Sequence, residues 1–196
     1  MSKPNSLCSA DHLAKTALFA EWAPAALKGF QALAGGAFAA GALSVQDKEI
    51  IAFACAHVLR CPYCIDYHHG LATQAGATRE ALTEAVWVAI AMAACASAQP
   101  GPEQALRAAT PAALDGYQAL QSAAFAPGAL NATQKALAAV ACAHNLRCAF
   151  SIERTVPAAL AAGASKAMVS EAIFVAIEMA AGACLGHAGL AAALME

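Results

Sequence analysis

Residues 44–78 contain the helix start and stop signals from which the fold is predicted, and they read SVQDKEIIAFACAHVLRCPYCIDYHHGLATQAGAT. Ser44 followed by Asp47 resembles a capping box, in which two otherwise unpaired N–H groups at a helix start gain side-chain acceptors. Pro62 cannot continue the hydrogen-bond ladder of a helix, although it is tolerated in a first turn. We therefore expect one helix over about 45–59 and a second that begins at Pro62.

The end of this stretch predicts where the second helix stops and a third begins. Gly76 is typical of a C-terminal cap, because glycine adopts a left-handed conformation at no steric cost. Thr78 is a good N-cap for a third, longer helix. Along that helix, an apolar stripe at helical spacing is formed by Leu82, Val86, Ile90 and Ala93.

Working outward, the sequence contains an internal duplication. Residues 30–101 align without gaps on 117–188 at an offset of 87, and about 32 of 72 positions are identical. The anchors are specific, and they pair Cys55-Ala-His57 with Cys142-Ala-His144 and Leu59-Arg60-Cys61 with Leu146-Arg147-Cys148. The same series of helices is therefore expected twice, giving an all-α fold built from two tandem homologous repeats.

Four residues form a candidate set in the first repeat, and the second repeat keeps only one of them, a cysteine. They are Glu49, Cys61, Cys64 and His68, and their counterparts are Ala136, Cys148, Ser151 and Thr155. Positions three and four apart on a helix are neighbours, which brings the two cysteines together and places the histidine beside the second. A chain reversal at 60–62 would bring the glutamate alongside the histidine. Loss of the set in one copy indicates a functional site in the other.

These residue types suit redox chemistry with peroxides. A thiolate is the nucleophile, and a helix N-terminus or a neighbouring His68 raises its population. Attack on an O–O bond gives a sulfenic acid, which a second thiol converts to a disulfide. Glu49 would orient the imidazole or relay the proton. Helix-cap physics alone favours Cys61, at the N-cap, as the more acidic thiol.

At these residues the sequence resembles the alkylhydroperoxidase AhpD family of the carboxymuconolactone decarboxylase superfamily. The resemblance rests on Glu49, eleven residues, Cys61-Pro-Tyr-Cys64, three residues and His68, and it covers both repeats. It implies an all-helical AhpD-like fold and reduction of a peroxide substrate by the CxxC pair, with no cofactor beyond that dithiol. It assigns Cys64 as the attacking thiol, Cys61 as the resolving thiol, and Glu49 and His68 as the proton relay.

The resemblance also implies partners. An unidentified dithiol reductant of the lipoyl or thioredoxin type would return the disulfide to the dithiol. Members of this kind form homo-oligomers, and a trimer is expected for a chain with two repeats. The composition agrees with association between copies, because a small chain with 60% hydrophobic and 12% charged residues has little polar surface to cover it.

Composition excludes several other classes of protein. The net charge is −2, and the 11 Lys and Arg form no basic stripe, so nucleic-acid binding is not expected. The most apolar windows, 86–98 and 172–185, fall short of the roughly 20 residues of a membrane span. The polar N-terminus has no export signal. We expect a cytoplasmic protein whose other cysteines are buried or incidental thiols.

The duplication divides the chain into five predicted segments. These are a helical extension at 1–29, a repeat with the CxxC motif at 30–101, a linker at 102–116, a degenerate repeat at 117–189 and a tail at 190–196. Positions retained in both repeats, such as Arg60 and Glu84, indicate structural roles, for example an Arg–Glu pair between helices or a hydrogen-bonded His57.

Three alternative functions remain open. Cys61, Cys64 and His68, with His69 or His57 as a fourth ligand, would suit tetrahedral zinc. Decarboxylation of a muconolactone is the activity that gives the superfamily its name, but it would not need the CxxC motif. A redox sensor or thiol–disulfide exchanger without peroxidase turnover would use the same residues.

Overall fold

The computed structural model describes residues 14–98 and 110–195, and all regular secondary structure in these ranges is α-helical, which confirms the fold class. The helices of the described ranges are α1 (Leu18–Trp22), α2 (Pro24–Phe38), α3 (Val45–Val58), α4 (Pro62–Gln74), α5 (Arg79–Ser97), α6 (Pro111–Ala124), α7 (Ala132–Asn145), α8 (Ala149–Ala161) and α9 (Lys166–Met195).

The duplication in the sequence is a duplication of helices. The series α2–α5 recurs as α6–α9, with α3, α4 and α5 beginning 87 residues before α7, α8 and α9. The two central helices, α3 and α7, pack against each other, while α5 and α9 each pack against both of them. The last helix of each repeat thus contributes to the core of the other repeat.

Side-chain N-caps begin these helices and a glycine ends α4, as the sequence predicts. Ser44 accepts the Asp47 N–H at 3.1 Å in a complete capping box, and Asn131 does the same for the second repeat. Thr78 accepts the Ala81 N–H at the start of α5. Gly76, at the end of α4, has φ +92°, a conformation that favours glycine.

The retained glutamates pair with lysines, so the predicted example of an Arg–Glu pair between helices is wrong. Glu84 on α5 lies 3.0 Å from the Lys135 ammonium, and Glu171 on α9 lies 3.0 Å from that of Lys48. Arg60 has φ +54° where the chain leaves α3. Its backbone therefore turns the chain toward α4, and Arg147 makes the equivalent turn in the second repeat with φ +52°.

Small residues make the core. The central helices α3 and α7 bury alanines and Cys55 and Cys142 completely, which lets helices approach closely. The buried face of α5 is carried by Ala85, Val88 and Met92, so Ile90 of the predicted apolar stripe is exposed. Alanine is abundant here because it fills narrow gaps between helices while favouring helix formation.

Two helices are longer than the apolar windows of the sequence indicated. Both α5, at 19 residues, and α9, at 30 residues, have the length and composition of a membrane span, so the prediction that every segment is too short is wrong. Each helix is longer than its apolar window because its first turn contains charged residues and its later turns contain runs of alanine. Core helices of soluble proteins meet the same criterion, and 39% of the most apolar window of each is buried here.

The structure also bears on the predicted segments. Residues 1–13 and most of the predicted linker, 102–109, lie outside the described residues. The remainder of that linker belongs largely to α6, which begins at Pro111. The predicted tail continues α9 as far as Met195.

Candidate active site

The chain reversal between α3 and α4 brings Glu49 and His68 together. Glu49 Oε2 lies 2.8 Å from His68 Nδ1, and both side chains are at least nine-tenths buried. The carboxylate favours the tautomer in which Nδ1 carries the proton and donates it to the hydrogen bond. The other ring nitrogen, Nε2, is then the proton acceptor.

Cys61 and Cys64 form a disulfide at the start of α4, with their Cα atoms 5.3 Å apart. Cys61 is the N-cap, and its sulfur accepts the Cys64 N–H at 3.3 Å. Pro62 occupies the first helical position, where its missing N–H removes no hydrogen bond. The CxxC sequence therefore places two sulfurs at a helix N-terminus, where a negative charge on either is stabilised.

A cavity of about 330 Å³ opens beside this disulfide. Cys64 and His68 line it, whereas Cys61 is fully buried and does not. Phe30 and Ala34 of α2 form one wall, and α9 forms another. A small molecule in the cavity would meet the sulfur of Cys64 rather than that of Cys61.

Aromatic rings fix the imidazole. Phe38 stacks on His68 with ring centroids 5.5 Å apart, and Tyr67 meets its edge at 5.2 Å. Tyr63 stacks on Tyr67 and closely approaches Gly186 of α9, where a Cβ would lie 3.1 Å from its ring. The Phe38 and Tyr67 rings and the Glu49 hydrogen bond together hold the imidazole in place.

Sequence reasoning missed one functional candidate in this cavity, Glu178. This residue of α9 is 6% exposed and lines the cavity with Cys64 and His68. Its counterpart in the first repeat is Ala91. The comparison of repeats searched for polar residues present only in the first repeat, so it did not find an acid present only in the second. The available signal was a single acidic residue within the apolar run 172–185.

The other predicted features lie apart from this site. His57 Nδ1 lies 2.8 Å from the Phe53 carbonyl oxygen, in line with a structural role. Within the described ranges, no three His, Cys, Asp or Glu side chains are grouped to hold a metal ion. Contact with Cys55 and burial raise the pKa of Cys142 well above its ordinary value, which makes that thiol a poor nucleophile.

Comparison with known proteins agrees with this architecture. The sequence model of the carboxymuconolactone decarboxylase family matches residues 24–110 and again 111–194. The chain belongs to this family. The double match fits the two-repeat member that the AhpD-like motif predicted, and each matched range starts at the first helix of a repeat.

One curated relative is also similar to part of the chain. It is described as uncharacterized protein 4 in the cox locus of Paracoccus denitrificans, and it is 48% identical over 68 residues. The match covers 35% of this chain and 61% of the relative's length. No solved structure matches the chain.

The second repeat also has a cavity, but the cysteine and histidine that line the first one are replaced there. A cavity of about 420 Å³ is lined by Met92, Cys95, Ser151 and Thr155, of which Ser151 and Thr155 replace Cys64 and His68. The hydroxyl of Ser151 lies 3.2 Å from the Cys148 sulfur. Among the described residues, the predicted set of two thiols, an imidazole and a carboxylate is complete only in the first repeat.

Proposed function

We propose that this protein is a thiol-dependent peroxidase that reduces hydroperoxides through the Cys61–Cys64 dithiol and disulfide. The observation that carries the proposal is a disulfide-bonded CxxC pair beside a buried Glu49–His68 hydrogen bond, with Cys64 and His68 lining a cavity. Membership of the carboxymuconolactone decarboxylase family, which includes both decarboxylases and peroxidases, supports an enzymatic role.

In the proposed reaction, His68 removes the thiol proton of Cys64, and Glu49 stabilises the imidazolium that forms. The Cys64 thiolate attacks the outer oxygen of the hydroperoxide, so the O–O bond breaks and an S–O bond forms. The products are an alkoxide, which becomes the alcohol on protonation, and a sulfenic acid on Cys64. Cys61 then attacks this sulfur, forming the disulfide and releasing water.

Cys64 is proposed as the attacking thiol because it lines the cavity, whereas Cys61 is fully buried. Helix-cap position favours Cys61 as the more acidic thiol, but a sulfur that peroxide does not reach cannot begin the reaction. The short distance between the two sulfurs suits Cys61 to the second step. It also protects the sulfenic acid from further oxidation.

The proposal extends to partners and location. A dithiol reductant of the lipoyl or thioredoxin type closes the cycle by thiol–disulfide exchange, so no further cofactor is required. We place the protein in the cytoplasm, as a homo-oligomer with a trimer favoured, without a membrane or nucleic-acid partner. The exposed apolar side chains of α5 and α9 supply the surface for association between copies.

The proposal is tested by counting free thiols in the reduced protein before and after one equivalent of organic hydroperoxide. We expect the wild type to lose two thiols, mapped by peptide analysis to Cys61 and Cys64, with release of one equivalent of alcohol. Cys64→Ser should not lose this pair of thiols, because Cys61, the remaining thiol of the pair, is buried away from the peroxide.

Other outcomes would favour the alternatives. Oxidation of the pair by diamide but not by hydroperoxide would indicate a thiol–disulfide exchanger or a sensor. Thiols that stay masked until a chelator is added would indicate a metal site. Turnover of a muconolactone by both the wild type and Cys64→Ser would indicate a decarboxylase.

A further inference from the structure

Glu178 is a buried acid that the reaction described above does not use. It lies on α9, in the second repeat, yet it lines the cavity formed around the first repeat's Cys64 and His68. Its Oε2 atom is buried without a hydrogen-bond partner among residues 14–98 and 110–195. Gly182, one turn later, leaves room for the carboxyl, since a Cβ there would lie 3.4 Å from Oε1.

Three other glutamates that are buried or partly buried each pair with a lysine or a histidine. Glu84 and Glu171 pair with lysines, and Glu49 pairs with His68. Glu178 forms no ion pair within the part of the chain that the structure describes. A buried polar atom left unpaired costs stability, so its retention at a cavity wall indicates a role there.

We propose that Glu178 is a third acid–base residue of the peroxide site and that its carboxylic acid protonates the departing alkoxide. This inference rests on the proposed peroxidase function. When the Cys64 thiolate attacks, the sulfur supplies the electron pair of the new S–O bond and the O–O bond pair leaves with the alkoxide. Glu178 gives its proton to that oxygen, forming the alcohol and leaving a carboxylate.

The proton balance of the cycle closes within the cavity. The proton that His68 takes from Cys64 returns to Glu178 after the alcohol leaves, so both residues are restored. The thiol proton of Cys61 leaves with the hydroxide of the sulfenic acid, forming water. The two acid–base residues therefore serve opposite sides of the O–O bond, with His68 acting on sulfur and Glu178 on the leaving oxygen.

The surroundings of Glu178 favour its protonated form. Burial raises the pKa of Glu178, the charge of His68 lowers it, and the charge of Glu49 raises it, with a net shift upward. The titratable groups that face it across the cavity are Cys64, His68 and the two tyrosines of α4, Tyr63 and Tyr67, while Phe30 and Ala34 of α2 contribute no charge. A raised pKa increases the fraction of Glu178 that carries a proton to donate at a given pH.

A pair of oxidants with different leaving groups tests this role. Cumene hydroperoxide releases a basic alkoxide that needs a proton, whereas peroxybenzoic acid releases a weakly basic carboxylate that does not. Reduced wild type and Glu178→Gln are each mixed with either oxidant, at a pH where the peracid stays protonated, and thiol loss is followed by rapid quenching. We expect Glu178→Gln to slow the hydroperoxide reaction about a hundredfold and the peracid reaction by much less.

Two controls separate this role from packing. Met179→Leu changes the adjacent cavity residue and should slow neither oxidant selectively. If Glu178→Gln fails to fold, judged by circular dichroism, Glu178→Asp replaces it, with a selective loss of the hydroperoxide reaction again expected because the acid is withdrawn by one methylene. Equal slowing of both oxidants, or no slowing, would overturn the role of Glu178 and leave the peroxidase function intact. A wild type that reacts with neither oxidant would overturn both.

Discussion

The two sulfurs of the Cys61–Cys64 pair differ in their access to the cavity. Cys64 lines the cavity, while Cys61 is fully buried and accepts a backbone N–H as the N-cap of α4. The helix N-terminus stabilises negative charge on either sulfur, but in the proposed reaction only Cys64 would meet the hydroperoxide. Removing either thiol should therefore stop the cycle at a different step.

We predict that Cys61→Ser still reacts with one equivalent of hydroperoxide and accumulates a sulfenic acid on Cys64. The resolving thiol is missing, so the oxidised sulfur has no neighbour with which to condense. Labelling with dimedone followed by mass spectrometry should find the adduct on Cys64 in this variant and none in Cys64→Ser. An adduct on Cys61 in Cys64→Ser, at a wild-type rate, would reverse the assignment.

The site residues show what sequence can and cannot predict at this scale. Glu49 and His68 were predictable because the second repeat lacks both, and the chain reversal between α3 and α4 joins them. Glu178 was not, because its proximity to Cys64 depends on how α9 crosses from one repeat to the other. Periodicity along α9 carries no information about that crossing.

At the scale of helices, each repeat caps a loop of the other. Glu171 on α9 accepts the N–H groups of Ala42 and Leu43 at 2.7 and 3.0 Å, just before α3, and pairs with Lys48. Glu84 on α5 does the same before α7. These reciprocal carboxylates fix the starts of the two central helices.

This capping predicts a loss of stability in acid. Partial burial raises the pKa of Glu171, but the N–H groups of Ala42 and Leu43 and the Lys48 ammonium outweigh it, so the pKa lies below the ordinary 4.5. Because the folded pKa is lowered, the stabilisation is fully present above about pH 4.5 and is lost as the pH falls through the folded value.

Glu171→Gln should therefore lower the free energy of unfolding at neutral pH by about 2 kcal/mol. It should also flatten the fall in stability below about pH 4.5. Urea unfolding at a series of pH values measures both effects, with the exposed Glu153→Gln as a control that should change neither. A Glu171→Gln profile parallel to that of the wild type would contradict the capping argument.

The loop that Glu171 caps also requires a glycine. A Cβ on Gly41 would occupy the position of the Glu171 carboxylate, which three partners hold in place. We predict that Gly41→Ala destabilises the fold by about 2 kcal/mol, because it displaces these charge-assisted hydrogen bonds. Urea unfolding provides the measurement.

Gly29, in the exposed middle of α2, is the matched control for Gly41. Nothing lies within 4 Å of a Cβ built there, so Gly29→Ala should stabilise the helix by up to about 1 kcal/mol. If both alanine variants gain stability, Gly41 is not constrained by the carboxylate.

Helix boundaries were predictable because caps such as Ser44–Asp47 and Gly76 act over three or four residues. The partner of Glu84 was not predictable, because Lys135 lies in the other repeat. Every cationic residue present in both repeats was an equally good candidate from the sequence. Local chemistry thus determined the elements, while the pairing between elements depended on tertiary structure.

At the scale of the whole molecule, the cavity beside the Cys61–Cys64 disulfide is lined by residues of both repeats. The first repeat supplies Cys64 and His68 to its lining, and α9 of the second supplies Glu178 and a wall of the cavity. The second repeat has Ala136, Ser151 and Thr155 in place of Glu49, Cys64 and His68. Its last helix nevertheless lines the cavity beside the cysteines of the first repeat.

The duplication also leaves equivalent apolar faces on α5 and α9. Trp87 and Ile90 on α5 are 49% and 40% exposed, and their counterparts Phe174 and Ile177 on α9 are 53% and 46% exposed. Contiguous exposed apolar side chains are typical of surfaces that associate with another molecule. Burial between copies of this chain would remove both faces from water.

We predict that the wild type sediments as a trimer and that Trp87→Glu and Phe174→Glu each shift it toward the monomer, because a charge cannot be buried in an apolar interface without cost. Leu160→Lys is the control, since Leu160 is 41% exposed on α8, outside both faces, and should leave the trimer intact. Analytical ultracentrifugation of detergent-free protein makes the measurement. A monomeric wild type would contradict association through these faces. Recovery only from membranes with detergent would instead indicate that α5 and α9, which are long and apolar enough to span a membrane, contact lipid.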